Sequence, residues 1–302
     1  MTIRALCVMK NEADVIEQTL LDALRWCDVV YVLDNGSDDG GWERVRRLAG
    51  ENPAIVAHGR DERPFTDDIR AVLFDAYASQ ARPGDWWCRL DADEFYLDDP
   101  REVLAAVDAD AFSVWSASLS YYFTDEDAAR FAADPGAYAD DVPVEEKIRY
   151  YLNHWSEPRF FRHETGLRWR EGDGGYPATL WARAASPRRI RLRHFPYRSP
   201  GQIQRRLDAR GASLEFAHEN VGGWADAVAG IRASGGFVGG GVATGASWHD
   251  RVVAANALDY DAHDGTFVIN ERLMPPLPEP LPWSRRWVAG ARSFARRLRR
   301  AA

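Results

Sequence analysis

Short apolar runs alternate regularly with longer segments of mixed apolar and polar residues along the first hundred residues. Four short apolar runs, rich in branched and aromatic side chains, have the length of buried strands, and they lie at residues 3–9, 29–34, 54–59 and 86–90. The segments between them repeat apolar residues at intervals of three and four, which predicts helices at 12–26, 42–50 and 68–81. Strands and helices that alternate at this spacing predict an α/β fold with a mostly parallel central sheet flanked by helices.

The pattern is less regular after residue 100. It predicts a helix at 100–109, a long strand at 112–123 and another helix at 199–217. Aromatic residues and arginine interleave over 149–169, which is typical of short strands in a mixed sheet. The glycine-rich segment 235–250 is expected to be a loop, since it lacks the strand–glycine–helix order of a phosphate-binding motif.

These changes divide the chain into four regions. Residues 1–110 and 111–200 are predicted to form the two halves of one domain, followed by a helical and glycine-rich extension at 201–282. The tail 283–302 carries seven arginines among apolar residues and no acid, which predicts an amphipathic helix that contacts an anionic membrane surface. Packing on the acidic body and lack of fixed structure are the alternatives for this tail.

Net charge, cysteine content and the length of the apolar runs limit the kinds of protein that this chain can be. The net charge of −8 argues against a nucleic-acid binder. Three cysteines lie in apolar runs, and this odd number predicts reduced thiols in a cytoplasmic protein: Cys7, Cys27 and Cys88. We expect neither a signal peptide nor a membrane span, because no apolar run approaches about 20 residues. The predicted location is therefore the cytoplasm, at the inner face of the membrane if the tail binds there.

Polar residues follow three of the predicted strands directly. Asn11 and Glu12 follow the first strand, Asp34 ends the second, and the cluster 91–94 follows the fourth. Parallel sheets bind their ligands outside the carboxyl ends of the strands, so these side chains are expected to face one crevice.

The cluster DADEF, residues 91–95, is a candidate metal site. On an extended strand Asp91 and Asp93 point to the same side and Glu94 to the other. Two carboxylates on one side can share a hard cation, Mn²⁺ or Mg²⁺, which removes their repulsion. The alternative is an ordinary acidic surface turn.

The segment DNGSDDG, residues 34–40, has rival interpretations. It is similar to a calcium loop, but Gly36 occupies a ligand position and no Glu closes a twelve-residue loop. A glycine-rich turn with a helix cap explains Gly36 and Ser37, but it does not explain why Asp34 ends an apolar strand.

Three segments together resemble the family 2 type glycosyltransferases, which have the GT-A (Rossmann-like) fold. They are MKNEADVIEQTL, VVYVLDNGSDDGGWERV and GDWWCRLDADEFYL, and the DADEF form resembles a bacterial branch in which RHFPYRS also occurs. The resemblance implies a transferase that moves a sugar from a nucleotide-diphosphate donor to an acceptor nucleophile, with inversion and with a divalent cation. It also implies an acceptor that is lipid-linked in many relatives.

The resemblance implies roles for particular residues. Nucleotide-binding residues would be Asn11, Glu12, Asp34 and Asp91, with Arg70 as a further candidate that a solvated helix face explains equally well. Lys10, at the same strand end, would add positive charge near the diphosphate. Metal ligands would be Asp93, Asp91 and His194, and Arg198 would stabilise the departing diphosphate. One departure is Asn35, where the family usually has a second acid, and it puts the nucleobase preference in doubt.

An inverting transfer needs a general base for the proton of the acceptor. Asp173 is the first choice because it lies between glycines, where a carboxylate can approach a substrate closely. Glu94 and Glu157 are the alternatives, and a simple turn explains Asp173 equally well. Two other functions stay open for the whole chain: a non-catalytic nucleotide-sugar scaffold and a sugar-phosphate nucleotidyltransferase.

Overall fold

The structure is a computed structural model that describes residues 1–211, 224–234, 247–274 and 276–277. Most of the predicted glycine-rich loop and all of the basic tail lie outside these residues, so the membrane contact stays a prediction. Within the described residues, no helix is both long enough and apolar enough to cross a membrane.

The first half of the chain forms the predicted parallel sheet. Its strands are β1 (Ile3–Met9), β2 (Val29–Asp34), β3 (Ile55–Arg60) and β4 (Trp86–Asp91). They lie in the order β3–β2–β1–β4, and every neighbouring pair is parallel. The connecting helices are α1 (Ile16–Ala23), α2 (Gly41–Glu51) and α3 (Arg70–Tyr77). The α/β fold class is therefore confirmed.

The second half adds strands that are mostly antiparallel. Its elements are β5 (Glu94–Tyr96), α4 (Pro100–Ala105), β6 (Ser113–Tyr121), α5 (Asp125–Ala133), α6 (Val144–Lys147), β7 (Tyr150–Trp155), β8 (Pro158–Arg162), β9 (Ile190–His194), α7 (Pro200–Gly211), α8 (Trp224–Ser234) and β10 (Asp259–Tyr260). The predicted parallel character thus holds for the first four strands, while the sheet as a whole is mixed. The physical reason is that the chain returns along β6, so that β7 and β8 both pair with it antiparallel.

Strand β8 joins the two halves. It lies between β4 and β6 and is antiparallel to both, which makes one continuous sheet. The pairing with β6 is irregular where β7 passes into β8, and there the Ser116 N–H donates to the carbonyl of Glu157 at 2.9 Å. The β8 residue that this irregularity leaves out of the register is Arg159, between Pro158 and Phe160, and such an irregularity redirects a side chain.

The core occupies both faces of the parallel half. Along β1, Ala5 and Cys7 pack on one face with α1 and α2, whereas Leu6 and Val8 pack on the other face with α3. This alternation explains why the strand is apolar throughout: a central parallel strand is buried on both sides. All three cysteines are buried free thiols. The polar residues that follow these strands are left at the edge of the core.

Candidate active site

The carboxyl ends of β2 and β4 flank the end of β1. In the strand register, Asp34 lies opposite Met9, and Asp91 lies opposite Val8. The parallel arrangement therefore brings the predicted residues of three strand ends to one edge of the sheet. Lys10 is exposed at this edge, and Asn11 and Glu12 follow it.

Asn11 fixes the loop that follows β2. It has a left-handed backbone, with φ of 56°, a conformation that asparagine tolerates better than most residues. Its backbone N–H donates to Ser37 Oγ at 2.9 Å, and its Oδ1 accepts from the Asp38 N–H at 2.9 Å. The turn interpretation of residues 34–40 agrees with these contacts.

Asp34 is fully buried at the end of β2. Its carboxylate accepts the Ser37 N–H at 3.1 Å, the Ser37 hydroxyl, and Arg60 Nε at 2.8 Å. The neighbouring Asn35 donates through Nδ2 to the carbonyls of Asp61 and Arg63, at 2.7 and 2.8 Å. Asp34 and Asn35 thus tie the loops that follow β2 and β3 to each other. The role of Asp34 toward a base stays a prediction.

The acidic cluster after β4 does not continue the strand. Ala92 and Asp93 form a turn, and Glu94 begins β5. The expectation that Asp91 and Asp93 share one side is therefore wrong in its geometry, because strand alternation stops at Asp91. Asp91 and Glu94 instead face one arginine, while Asp93 faces another.

The first of these arginines is Arg159, on β8. Its Nη1 donates to Asp91 at 2.9 Å, and its Nη2 donates to Glu94 and, at 2.7 Å, to Glu157. Arg70 also donates to Asp91. We call Arg159 and its three carboxylates the Arg159 cluster. A buried guanidinium thus offsets charges that would otherwise repel one another in the core.

Burial raises the pKa of each of these carboxyl groups, and the neighbouring arginines lower it. Burial disfavours the charge on Asp91, but Arg159 and Arg70 outweigh burial and hold the pKa of Asp91 well below its usual range. For Glu157, burial is likewise outweighed, by Arg159 and Arg89, and its pKa is lowered to about 2. For Glu94 burial prevails over Arg159, and its pKa is raised to about 8. Glu94 is therefore the member of the cluster that holds a proton most readily.

The second arginine is Arg198, which is fully buried between β9 and α7. Its Nε and Nη2 donate to Asp14 at 2.8 Å each, and Nη2 also donates to Glu12. Its Nη1 donates to the Phe195 carbonyl at 2.8 Å and lies 3.5 Å from Asp93 Oδ2. All the N–H groups of Arg198 are engaged within the protein in this arrangement. We call Arg198, Glu12, Asp14 and Asp93 the Arg198 cluster.

His194 connects the two clusters. It lies opposite Glu94 in the β5–β9 pair, and its Nε2 is 3.5 Å from Asp93 Oδ1. Burial disfavours its charge, but the carboxylates of Asp93, Glu94 and Asp91 outweigh burial and raise the pKa of His194. The carboxylate of Asp93 is a donor that suits Mn²⁺, and the imidazole of His194 lies beside it. In the part of the chain that the structure describes, however, no three His, Cys, Asp or Glu side chains are grouped to hold a metal ion.

Arg70 and Asp173 lie in two segments that contact each other, the start of α3 and the turn at 170–173. Arg70 is almost completely buried at the start of α3, and its Nε and Nη1 have no hydrogen-bond partner among the described residues. Asp173 is half-buried in a turn, where its carboxylate accepts the Arg170 N–H at 2.9 Å. The turn is tied to the segment before α3, since the Gly172 N–H donates to Asp68.

The sequence interpretation missed several residues of the site. Arg159, Arg89 and Asp14 supply charges to the two clusters, and Tyr176 donates to Glu157 at 2.7 Å. A signal for Arg159 existed: an arginine inside the apolar run PRFFR needs a buried acid. Nothing in the sequence indicated which acid it would be.

Comparisons with known proteins give little further information. No protein family matches, and no curated protein matches. Three solved structures are similar at low scores: a mannosyltransferase from Pyrobaculum calidifontis with GDP-Man and Mn²⁺, GalNAc-T7 with UDP, GalNAc and Mn²⁺, and S. aureus TarS. Their identities are 16, 10 and 14%, and their TM-scores are 0.38, 0.37 and 0.35. The matches cover 70, 72 and 73% of this chain but 64, 50 and 68% of those chains. Likenesses of this size carry no conclusion about function.

Proposed function

We propose that this protein is a metal-dependent glycosyltransferase that moves a sugar from a nucleotide-diphosphate donor to an acceptor nucleophile, with inversion. One observation carries the proposal: Asp34 and Asp91 flank the end of β1, opposite Met9 and Val8. This edge of a parallel sheet is where α/β proteins bind nucleotides. The resemblance of residues 1–100 to family 2 transferases agrees with it.

The nucleoside would lie beside β2, against the loop that Asp34 and Asn11 hold. The diphosphate would then lie toward Asp91, where Arg70 has two buried nitrogens, Nε and Nη1, without a partner among the described residues. A guanidinium with unused donors suits a phosphate oxygen. Arg198 would act differently from the sequence expectation, by positioning Glu12 and Asp93 rather than by binding the diphosphate.

Asp93 and His194 would hold the cation. Asp91 would join them as a third ligand if its ion pairs with Arg70 and Arg159 break. A bound Mn²⁺ or Mg²⁺ would neutralise the charge that develops on the leaving diphosphate. Arg70 would add a fixed positive charge on the same side. For the general base, Asp173 and Glu94 stay candidates, whereas Glu157 already accepts from Arg159, Tyr176 and Trp155.

The test is the release of nucleoside diphosphate from a panel of UDP- and GDP-sugars with Mn²⁺, with and without EDTA. We expect slow, metal-dependent hydrolysis of one donor, because water can replace the acceptor. Asp93→Asn should abolish the release. A suitable control is Asp98→Asn, which removes the bidentate partner of Arg191 outside both clusters. No release from any donor, or release that EDTA leaves unchanged, would contradict the proposal.

A further inference from the structure

Two tryptophans are exposed next to the Arg159 cluster. Among the described residues, Trp155 and Trp181 are 48% and 42% exposed, whereas most other tryptophans are buried. An exposed indole leaves a large apolar surface in water, and such surfaces, when they adjoin one another, mark binding sites. Both of these indoles are linked to one carboxylate, that of Glu157.

The links are short and specific. Trp155 Nε1 donates to Glu157 Oε1 at 3.0 Å, and Tyr176 donates to Glu157 Oε2 at 2.7 Å. The ring of Trp181 packs edge-on against Tyr176, with centroids 5.8 Å apart, and against Trp115, at 6.1 Å. Buried partners thus fix the position of Trp181 while its other surface stays in solvent.

Charged groups lie directly behind these rings. The Arg89 guanidinium lies 4.8 Å from the centroid of the Tyr176 ring and 3.4 Å from Glu157. Arg159 connects Glu157 to Asp91, at 2.7 and 2.9 Å. The aromatic surface is therefore continuous with the residues that we place around the donor diphosphate.

We propose that Trp155, Trp181 and Tyr176 form the acceptor platform of the enzyme, and that its occupant is a carbohydrate. A sugar ring has an apolar face of C–H groups and an edge of hydroxyls, so that it suits aromatic rings next to hydrogen-bonding side chains. Glu157 is a positioning residue here, because it orients Trp155 and Tyr176 together. The acceptor role rests on the proposed transferase function.

The experiment is binding of the full-length protein to an array of immobilised oligosaccharides with glucose, galactose, mannose, N-acetylglucosamine and rhamnose ends. We expect the protein to bind at least one of them. Trp155→Ala and Trp181→Ala should each weaken binding about tenfold, which is the usual effect of removing a central aromatic contact. Trp181→Phe should keep part of the binding affinity, because it keeps an aromatic ring. The control is Tyr260→Ala, which removes a 54% exposed aromatic ring from β10 at the sheet edge, and it should bind like the wild type.

Other outcomes separate this proposal from the proposed function. If no oligosaccharide binds, or if both alanine variants bind normally, the platform is wrong. If UDP or GDP competes with the oligosaccharide, the rings belong to the nucleotide site and the acceptor assignment is overturned. Tryptophan-dependent binding without release of nucleoside diphosphate from any donor would keep the carbohydrate site and contradict the transferase. Release of nucleoside diphosphate, together with oligosaccharide binding that neither tryptophan variant weakens, would support the transferase and contradict the carbohydrate site.

Discussion

Arg159 and Asp91 form an ion pair, with Nη1 2.9 Å from Oδ2, at the end of the strand that delivers the acidic cluster, and the guanidinium is fully buried. Arg70 pairs with the other oxygen of the same carboxylate. Two guanidinium groups of the chain therefore offset the charge that a metal ion was expected to offset. A divalent cation at Asp91 has to compete with them, so we expect metal and nucleotide to bind together.

Removal of Arg198 should destabilise the fold strongly. Arg198→Met leaves the buried Asp14 and Asp93 and the half-buried Glu12 without their shared cation, and the loss of one side of a buried ion pair costs about 3–5 kcal/mol. Urea denaturation measures this change in the free energy of unfolding. The control is Arg205→Met, an exposed arginine on the same helix, α7. A loss of less than about 1 kcal/mol for Arg198→Met would show that the cluster is not structural.

Asp34→Asn should loosen the loops that follow β2 and β3. The amide can still accept from Ser37, but it cannot pair with Arg60, and a disturbed buried polar group costs about 1–3 kcal/mol. Urea denaturation again gives the value. Asp61→Asn serves as control, since it removes an Arg63 pair from the adjacent, more exposed segment. If both variants lose the same free energy of unfolding, Asp34 stabilises the fold no more than the more exposed Asp61 does, and the prediction is wrong.

His154 should make stability depend on pH. Burial lowers the pKa of His154 to about 4, and its Nε2 lies 2.6 Å from the hydroxyl of Tyr122. Between pH 4 and the unfolded value of 6.5, the unfolded chain binds a proton that the folded protein does not. Stability from this group is therefore present above pH 6.5 and is lost as the pH falls through 4, by up to about 3 kcal/mol.

The check is urea denaturation from pH 4 to 7 with wild type, His154→Gln and Tyr122→Phe. The stability difference between wild type and His154→Gln should grow with pH. Tyr122→Phe removes the hydrogen bond but keeps the histidine, so it should keep the slope of the wild type. Parallel curves for wild type and His154→Gln would refute the prediction.

The central strands could be predicted from the sequence because they are buried on both faces. Runs of apolar residues give β1 and β2 with the observed bounds, and they give β4 to within one residue. Helices α1 and α3 are shorter than predicted, since periodicity continues through the turns at their ends. The antiparallel half was less predictable, because pairing depends on the path of the chain between strands.

The site could be predicted only in part, for a related reason. Strand ends bring Asn11, Asp34 and Asp91 to one edge, and this follows from the parallel order alone. The position of Asp93 depends on the turn that follows β4. Arg159 pairs with Asp91, which lies 68 residues before it in the sequence. Ion pairs of this range have no local signature, so the pattern indicated charges but not their partners.

Calorimetric titration with UDP and with GDP, each with Mn²⁺ and with EDTA, tests the central claim most directly. We predict that one nucleotide binds with Mn²⁺ and not with EDTA, that Mn²⁺ alone gives little heat, and that Asp91→Asn abolishes nucleotide binding. Asp85→Asn is the matched control. It removes a buried aspartate that pairs with Arg4 at 2.8 Å beside the other end of β4, and it should bind like the wild type. Failure of both nucleotides to bind, or binding that is indifferent to EDTA and to Asp91→Asn, would contradict a metal-dependent nucleotide site at this edge.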